Sequence, residues 1–217
     1  MPYPAALSSD RQKQAARLYA SGLSAAQVAL RLNVSLDATF YALRRLRVVR
    51  RTAQQSNKLR FEAKPLSYNI KKKLNEKDER LKLAAVMLYW AEGYKVGKNT
   101  IDFANSDPQM ALIFRRFLSR ICGIDENRIR GHIYCYEGQD IHEITRYWSG
   151  LLKIPERQFV KPYIKKASTP GPRGPRMVHG LVHLVYCDTR LLRQILVWID
   201  EYCKECVGTQ AVNEGRL

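Results

Sequence analysis

The stretch from Gly22 to Arg51, GLSAAQVALRLNVSLDATFYALRRLRVVRR, decides the fold of the amino-terminal part of the chain. Ser24 and Ser35 each precede a run of residues with helical spacing, and serine is a preferred N-cap. Asn33-Val34-Ser35 reads as a tight turn, and an earlier helical run covers Arg11 to Ala20. The sequence therefore predicts three short helices. The residues predicted to face inward on the second and third helices are Val28, Ala29, Leu32, Phe40 and Leu43.

Positive charge is concentrated in the first third of the chain. The 217 residues include 37 Lys and Arg against 20 Asp and Glu, which gives a formal net charge of +17. Residues 1–80 hold 17 of those 37 basic residues but only 6 of the 20 acidic ones. Such a charge favours nucleic acid as the partner, with an anionic membrane surface second. The hydrophobic content of 46% is enough for a sizeable core and excludes a wholly disordered chain.

No segment of the sequence has the pattern of a membrane span or a signal peptide. The longest apolar run, Leu83 to Ala91, is far shorter than the roughly 20 residues that span a bilayer. The sequence therefore predicts a cytoplasmic, nucleoid-associated protein without a membrane partner, in which the cysteines are reduced. Cys203 and Cys206 form a single CxxC, which is short of the four ligands of a structural zinc site, and their role stays open.

The stretch 22–51 resembles the helix-turn-helix domains of bacterial regulators, resolvases and transposases. The resemblance implies that the third helix enters the major groove of double-stranded DNA and that arginines behind it contact phosphates. The candidate groove-facing residues are Asp37, Thr39 and Tyr41. The candidate phosphate contacts are Arg44, Arg45, Arg50 and Arg51. A generic three-helix bundle with a solvated basic face is the alternative, and Asp37 has a second possible role in favouring the helix N-terminus.

The remainder of the chain mixes helical and strand patterns, so the predicted fold class is α+β. Predicted helices cover residues 81–92, 106–122, 140–152 and 189–204, and predicted strands cover 100–105, 130–136, 161–165 and 180–187. The predicted organisation is a three-helix helix-turn-helix domain at 1–52, a basic linker at 53–80, a mixed α+β domain at 81–205 and a flexible tail at 206–217. In the third of these segments we expect the helices to pack on one face of an antiparallel sheet.

Residues 85–93, Ala-Val-Met-Leu-Tyr-Trp-Ala-Glu-Gly, resemble the LAGLIDADG motif of homing endonucleases. The likeness covers roughly residues 80–203 and includes the helix entry Asn105-Ser106-Asp107-Pro108. In that family two such helices pack side by side, and the acid at the foot of each binds a divalent metal near the scissile phosphate. The resemblance implies that Glu92 is a catalytic ligand of Mg²⁺, and Lys98 joins it as a candidate catalytic residue.

Two features bear on this assignment. The motif occurs once, so the family arrangement implies a homodimer. Met87 stands where the family has glycine, so close helix contact would have to use Ala84, Leu88 and Ala91. A plain ion pair of Glu92 with Lys95 or Lys98 is the structural alternative.

Basic residues on the predicted strands are further candidate DNA contacts. Lys161, Tyr163 and Lys165 alternate and therefore share one strand face, although a solvated face is the alternative. Arg128, Arg130 and His132 alternate in the same way on another predicted strand. The residues retained as candidate DNA contacts in this part of the chain are Arg130, Lys161, Tyr163, Lys165, Arg173 and Arg176. The leading hypothesis is a site-specific, Mg²⁺-dependent DNA endonuclease. The alternative is a non-catalytic transcriptional regulator that retains the LAGLIDADG-like fold, and no small-molecule substrate is evident from the sequence.

Overall fold

Serine side chains begin the first three helices of the chain. These helices are α1 (Ser9–Ala20), α2 (Ala25–Leu32) and α3 (Leu36–Arg45). The hydroxyls of Ser8, Ser24 and Ser35 each accept a backbone N–H from the first turn of the helix that follows. Gly22, at φ +106°, and Asn33, at φ +50°, have the positive φ values that the two connecting turns require. The three helices predicted from residues 10–52 are therefore confirmed.

The computed structural model describes residues 7–95, 99–166 and 177–207, and the chain divides into two units, Met1–Pro65 and Leu66–Leu217. The core of the first unit is formed by the inward faces of α1, α2 and α3. Ala15 and Ala42 are fully buried there, and side chains of this size allow the helices to approach closely. Tyr19, Val28 and Leu43 fill the space around them.

The segment predicted as a linker, residues 53–80, is not one. Its first part is helix α4 (Ala53–Glu62), which begins with a capping box between Thr52 and Gln55. Its second part is bound to the second unit, because Ser67 donates a hydrogen bond to Asp188 at 2.7 Å and the Asn69 N–H donates to the Cys122 carbonyl at 3.1 Å. The partners lie more than 50 residues away in sequence, so local composition did not indicate these bonds.

Asp78 fixes the beginning of α5 (Glu76–Glu92). Its buried carboxylate accepts hydrogen bonds from Lys71 Nζ and Arg120 Nε, each at 2.5 Å. The bonds from Lys71 and then Arg120 lower the pKa of Asp78 from 3.8 to about 2, so this carboxylate is charged at neutral pH. The Asn75 side chain caps this helix by accepting the Asp78 N–H at 3.0 Å, so the helix begins five residues before the predicted Leu81, within the segment that had been assigned to the linker.

Four strands and three further helices follow α5 in the described part of the second unit. They are β1 (Ile101–Asn105), α6 (Pro108–Arg120), β2 (Arg130–Tyr136), α7 (Ile141–Leu152), β3 (Tyr163–Lys165), β4 (Leu181–Tyr186) and α8 (Thr189–Val207). The mixed α+β class is therefore confirmed, and most of these bounds agree with the predicted ones within a few residues. Helix α8 extends to Val207, so it includes the first two residues of the predicted tail; residues 208–217 lie outside the described part. None of the helices in the described ranges is long and apolar enough to cross a membrane.

The sheet of the second unit has the strand order β1-β4-β2-β3. Strand β4 pairs antiparallel with β1 and with β2, whereas β3 pairs parallel with β2. The prediction of an antiparallel sheet was therefore wrong at this edge. The physical reason is the crossover through α7, which returns the chain to its starting end before β3 begins, and a connection of that kind produces a parallel pair.

One face of the sheet packs against the helices, and the other face carries more polar side chains. Inward residues such as Phe103, Ile133 and Leu184 are buried, and the Phe103 ring lies 4.4 Å from the ring of Phe114 on α6. Along each strand, the residues that alternate with the buried ones are partly buried or exposed, as the period of two predicts. The sheet therefore presents one face that the helices of the described chain do not bury completely.

Candidate nucleic-acid interface

Helix α3 has one buried face and one exposed face. The buried face holds Ala38, Thr39, Ala42 and Leu43. The exposed face holds Asp37, Tyr41, Arg44 and Arg45, whose spacing of four, three and one residues places them on one side of the helix. Arg45 Nη1 donates to the Tyr41 hydroxyl at 3.3 Å, so these two side chains lie together. Asp37 is in the first turn, where the positive end of the helix dipole stabilises a carboxylate.

Thr39 does not face outward as predicted. Its side chain is fully buried, and its hydroxyl donates to the Ser35 carbonyl at 3.1 Å. The prediction was wrong because threonine is common on exposed surfaces, whereas position 39 lies three and four residues before the buried Ala42 and Leu43. That helical spacing was the available signal. Thr39 is therefore a core residue of the first unit and not a contact with a ligand.

The arginines in the last turn of α3 and after it have different surroundings. Arg44 is exposed, and its side chain has no hydrogen bond or ion pair with a described residue. Arg50 is also exposed, and its guanidinium lies 4.5 Å from the centroid of the Phe40 ring. Both guanidinium groups keep N–H donors for a phosphate. Arg44 has no bond with a described residue, and a cation stacked on an aromatic ring, like that of Arg50, keeps free N–H groups at its rim.

Arg51 instead points into the first unit. Its guanidinium lies 4.1 Å from the centroid of the Tyr19 ring and donates to the Leu23 carbonyl. Its backbone N–H donates to the Tyr19 hydroxyl at 3.0 Å. Burial acts to raise the pKa of Tyr19, but the hydrogen bonds and charge of Arg51 outweigh it, so the pKa lies below 10.0. The prediction that Arg51 is a phosphate contact is therefore wrong, because its guanidinium stacks on Tyr19 and bonds to the Leu23 carbonyl inside the fold.

Glu92 is exposed in the last turn of α5, immediately before Gly93. It forms no ion pair with any residue that the structure describes. Lys95 Nζ donates to the Trp90 carbonyl and does not pair with Glu92, while Lys98 lies outside the described residues. A carboxylate in this position meets the negative end of the helix dipole, which costs about 0.3–1 kcal/mol. The fold offers no compensating contact in its described part.

The described residues contain no group of three or more His, Cys, Asp or Glu side chains that could hold a metal ion. Glu92 therefore stands as a single carboxylate within one chain. Cys203 and Cys206 lie on α8, the first half-buried and the second exposed, and they join no such group. A metal site that includes Glu92 would need ligands from beyond this part of the chain.

An exposed apolar strip runs along α5 and includes Tyr94, the second residue after the end of the helix. Leu83, Trp90 and Tyr94 are 45%, 49% and 55% exposed. Ala84 and Ala91, two of the three residues predicted to make close helix contact, are also exposed. The third residue, Leu88, is half-buried and packs against the core of its own unit. Glu92 is the last residue of the same helix.

The basic residues predicted on the strands lie at the β3 edge of the sheet and at the start of β2. Lys161, Tyr163 and Lys165 are all exposed, and Lys165 Nζ lies 6.0 Å from the centroid of the Tyr136 ring. Arg130 is exposed as well, although its Nη1 donates to the Asn127 and Ile129 carbonyls at 2.6 and 2.8 Å. Arg173 and Arg176 lie outside the described residues.

Asp102, Tyr134 and His183 also lie on this face and were not selected from the sequence. His183 Nδ1 lies 2.8 Å from Asp102 Oδ1, and the His183 ring centroid lies 4.3 Å from that of Tyr134. Beside them, burial and then the nearby charge of His183 lower the pKa of His132 below 6.5. Period-two alternation in Ile101–Asn105 and Leu181–Tyr186 does place Asp102 and His183 on the less buried face. Their pairing required the strand order, since Asp102 and His183 are 81 residues apart.

Comparisons of this chain with protein-family models, with curated proteins and with solved structures found no match.

Proposed function

We propose that this chain binds double-stranded DNA with sequence preference, using α2 and α3 as a helix-turn-helix. The observation that carries the proposal is the exposed face of α3, on which Tyr41, Arg44 and Arg45 follow Asp37 at helical spacing. An α-helix of ordinary diameter fits the major groove, which is about 12 Å wide. Tyr41 then lies toward the base edges, and the arginines toward the phosphates at the end of the helix.

The charge of the chain supports the same function. Arg44, Arg45, Arg47 and Arg50 are all exposed, and they lie at the end of α3 or within five residues after it. A cluster of this sign attracts a polyanion and speeds its association. Arg51 is excluded from this set, because its guanidinium is used within the fold.

Selection from a randomised duplex library, followed by anisotropy measurements on the selected sequence, tests this proposal. Tyr41→Ala should reduce the preference for the selected sequence by about 1–3 kcal/mol. Arg44→Ala should weaken all duplexes alike. Lys13→Ala, which removes an exposed cation from α1, is the matched control and should have little effect on either measurement. Failure to select any sequence, or normal binding by both α3 variants, would make α1–α3 a structural bundle.

We also infer that the second unit is a Mg²⁺-dependent DNA endonuclease that acts as a homodimer, with Glu92 as the metal ligand. The specific observation that favours this activity is the exposed carboxylate of Glu92, unpaired among the described residues, at the end of the helix that carries the apolar strip. Contact between the strips of two copies would remove Leu83 and Trp90 from water, which is favourable. The same contact would bring the two helix ends near each other.

The residues present fit Mg²⁺ only as part of a shared site. One chain supplies one carboxylate from Glu92, and the cation ordinarily takes one or two carboxylates together with phosphate oxygens and water. A second copy and the DNA phosphate would therefore complete the ligand set. When bound, the ion would polarise the phosphate and lower the pKa of a coordinated water.

Glu92→Gln keeps the shape of the side chain and removes its charge, so it tests the endonuclease assignment. We expect loss of cleavage with DNA affinity within a few-fold of the unmodified chain. Glu79→Gln, an exposed carboxylate in the first turn of the same helix, is the matched control and should cleave normally. Full cleavage by folded Glu92→Gln would exclude the metal-ligand role. DNA binding without cleavage by the unmodified chain, in Mg²⁺ and in Mn²⁺, would favour the non-catalytic regulator.

A further inference from the structure

The less buried face of the sheet carries four rings that form a continuous surface, which we call the aromatic shelf and define as His132, Tyr134, Tyr163 and His183. The register places His132 opposite His183 and Tyr134 opposite Tyr163, so the rings occupy two adjacent rows across β4, β2 and β3. Ring centroids are 4.3 Å apart for Tyr134 and His183, 4.7 Å for His132 and Tyr134, and 5.0 Å for Tyr134 and Tyr163. These spacings are those of rings in contact.

The shelf is held in place by its surroundings. Asp102 on β1 bonds to the Nδ1 atom of His183 at 2.8 Å, which fixes the orientation of that ring. Below the sheet plane, Gly131 leaves room for the Phe159 ring, which approaches within 2.4 Å of the place that a Cβ atom would occupy. A parallel β-bridge pairs the backbone of Phe159 with that of Gly131 on β2, and this pairing helps to position the chain that leads to Tyr163. The rings therefore sit on a rigid support and not on a loop.

Access and charge distinguish the shelf from an ordinary sheet surface. Tyr163 is 54% exposed, a large value for a tyrosine in contact with another ring. Lys161 and Lys165 flank it along the β3 edge, and Arg130 begins β2 next to His132. Asp102 is the one acidic residue among the described strand residues of this face, and its carboxylate is used by His183. The shelf is therefore aromatic with a positive border.

This combination fits a strand whose bases are unpaired. Rings stack on the faces of bases, and those faces are covered by neighbouring base pairs in a duplex. Positive side chains along the border meet the phosphates of such a strand, as they do in other sheets that bind single strands. We propose that the aromatic shelf binds single-stranded DNA by stacking about two or three bases on its rings. The choice of DNA over RNA rests on the proposed function of the first unit.

The test measures anisotropy of labelled oligo(dT) of about 12 nucleotides with the full chain. Tyr163→Leu removes the most exposed ring, and we expect it to weaken binding of this probe about tenfold. Tyr163→Phe keeps the ring and should bind like the unmodified chain. Since Tyr163 is half exposed, the circular dichroism spectrum and the melting temperature of both variants should be close to those of the unmodified chain.

Two further measurements complete the test. The first distinguishes base stacking from attraction between charges, and the second distinguishes binding at the shelf from binding at the helix-turn-helix. An oligomer of the same length without bases should bind weakly; equal binding of this probe and oligo(dT) would overturn the proposal. Tyr163→Leu should leave duplex binding unchanged, and Tyr41→Leu should change duplex binding but not that of oligo(dT). Loss of duplex binding alone would contradict only the proposed function. Unchanged oligo(dT) affinity in Tyr163→Leu, or tighter binding of oligo(U) RNA, would refute the inference.

Discussion

The arginines Arg44 and Arg51 should behave oppositely when each is replaced by alanine, although they are seven residues apart and carry the same charge. Arg44 is exposed without a side-chain bond to any described residue. Arg51 stacks on Tyr19 at 4.1 Å and donates to the Leu23 carbonyl. We therefore expect Arg44→Ala to change DNA binding without changing stability, and Arg51→Ala to change stability without changing how salt affects binding.

The magnitudes follow from the contacts of each residue. Loss of one phosphate contact reduces the slope of log K against log salt by about 0.9. For Arg44→Ala, the loss of affinity between about 50 mM and about 200 mM salt should therefore be roughly threefold smaller than for the unmodified chain. For Arg51→Ala, a charged hydrogen bond is worth about 1.5–3 kcal/mol and a cation–π contact about 0.5–1 kcal/mol. Because water partly replaces these contacts, the free energy of unfolding of the first unit should fall by about 2–3 kcal/mol.

Anisotropy of a labelled duplex across a salt series, with thermal melting of the same samples, measures both effects. A loss of about 2–3 kcal/mol in a unit of this size corresponds to a melting temperature lower by roughly 10–20 °C. Binding must be measured well below the melting temperature of Arg51→Ala, so that the folded fraction is close to one. If Arg51→Ala flattened the salt slope as much as Arg44→Ala did, the division of these arginines into structural and phosphate-binding roles would be wrong.

Three further substitutions test single contacts, each measured by chemical denaturation. Thr39→Val removes the hydroxyl that donates to the Ser35 carbonyl, so about 1 kcal/mol of stability should be lost while folded protein binds DNA normally; a binding defect in folded protein would return Thr39 to the interface. Asp78→Asn should be less stable than the unmodified chain above about pH 4, and the difference should disappear as the pH falls toward 2, because the pKa of this carboxyl is lowered from 3.8 to about 2; a difference independent of pH would exclude the ion pairs as its cause. Gly131→Ala should cost about 1–3 kcal/mol, because the new Cβ would lie 2.4 Å from the Phe159 ring, and Phe159→Leu in the same chain should restore part of that loss.

The features that the sequence predicted well depend on neighbours along the chain. Ser24 and Ser35 begin helices because a serine hydroxyl accepts the N–H of a residue three positions later, whatever lies elsewhere in the fold. Strand β2 was predicted with its observed bounds, since alternation in Arg130–Tyr136 is itself the signature of a half-buried strand. The separation of an amino-terminal helical unit from an α+β unit followed from the change of these patterns along the chain.

The features that were predicted wrongly or not at all depend on residues distant in sequence. Residues 66–75 had the composition of a linker, yet they bond to residues 121–125 and to Asp188. Arg51 belongs by composition to a basic cluster, and only the packing of α1 brings Tyr19 beneath its guanidinium. The parallel edge required the path of α7 across the sheet. The aromatic shelf likewise needs β4 to lie between β1 and β2, because hydrogen bonding between strands, and not spacing along any one of them, brings Asp102, His183 and Tyr134 together.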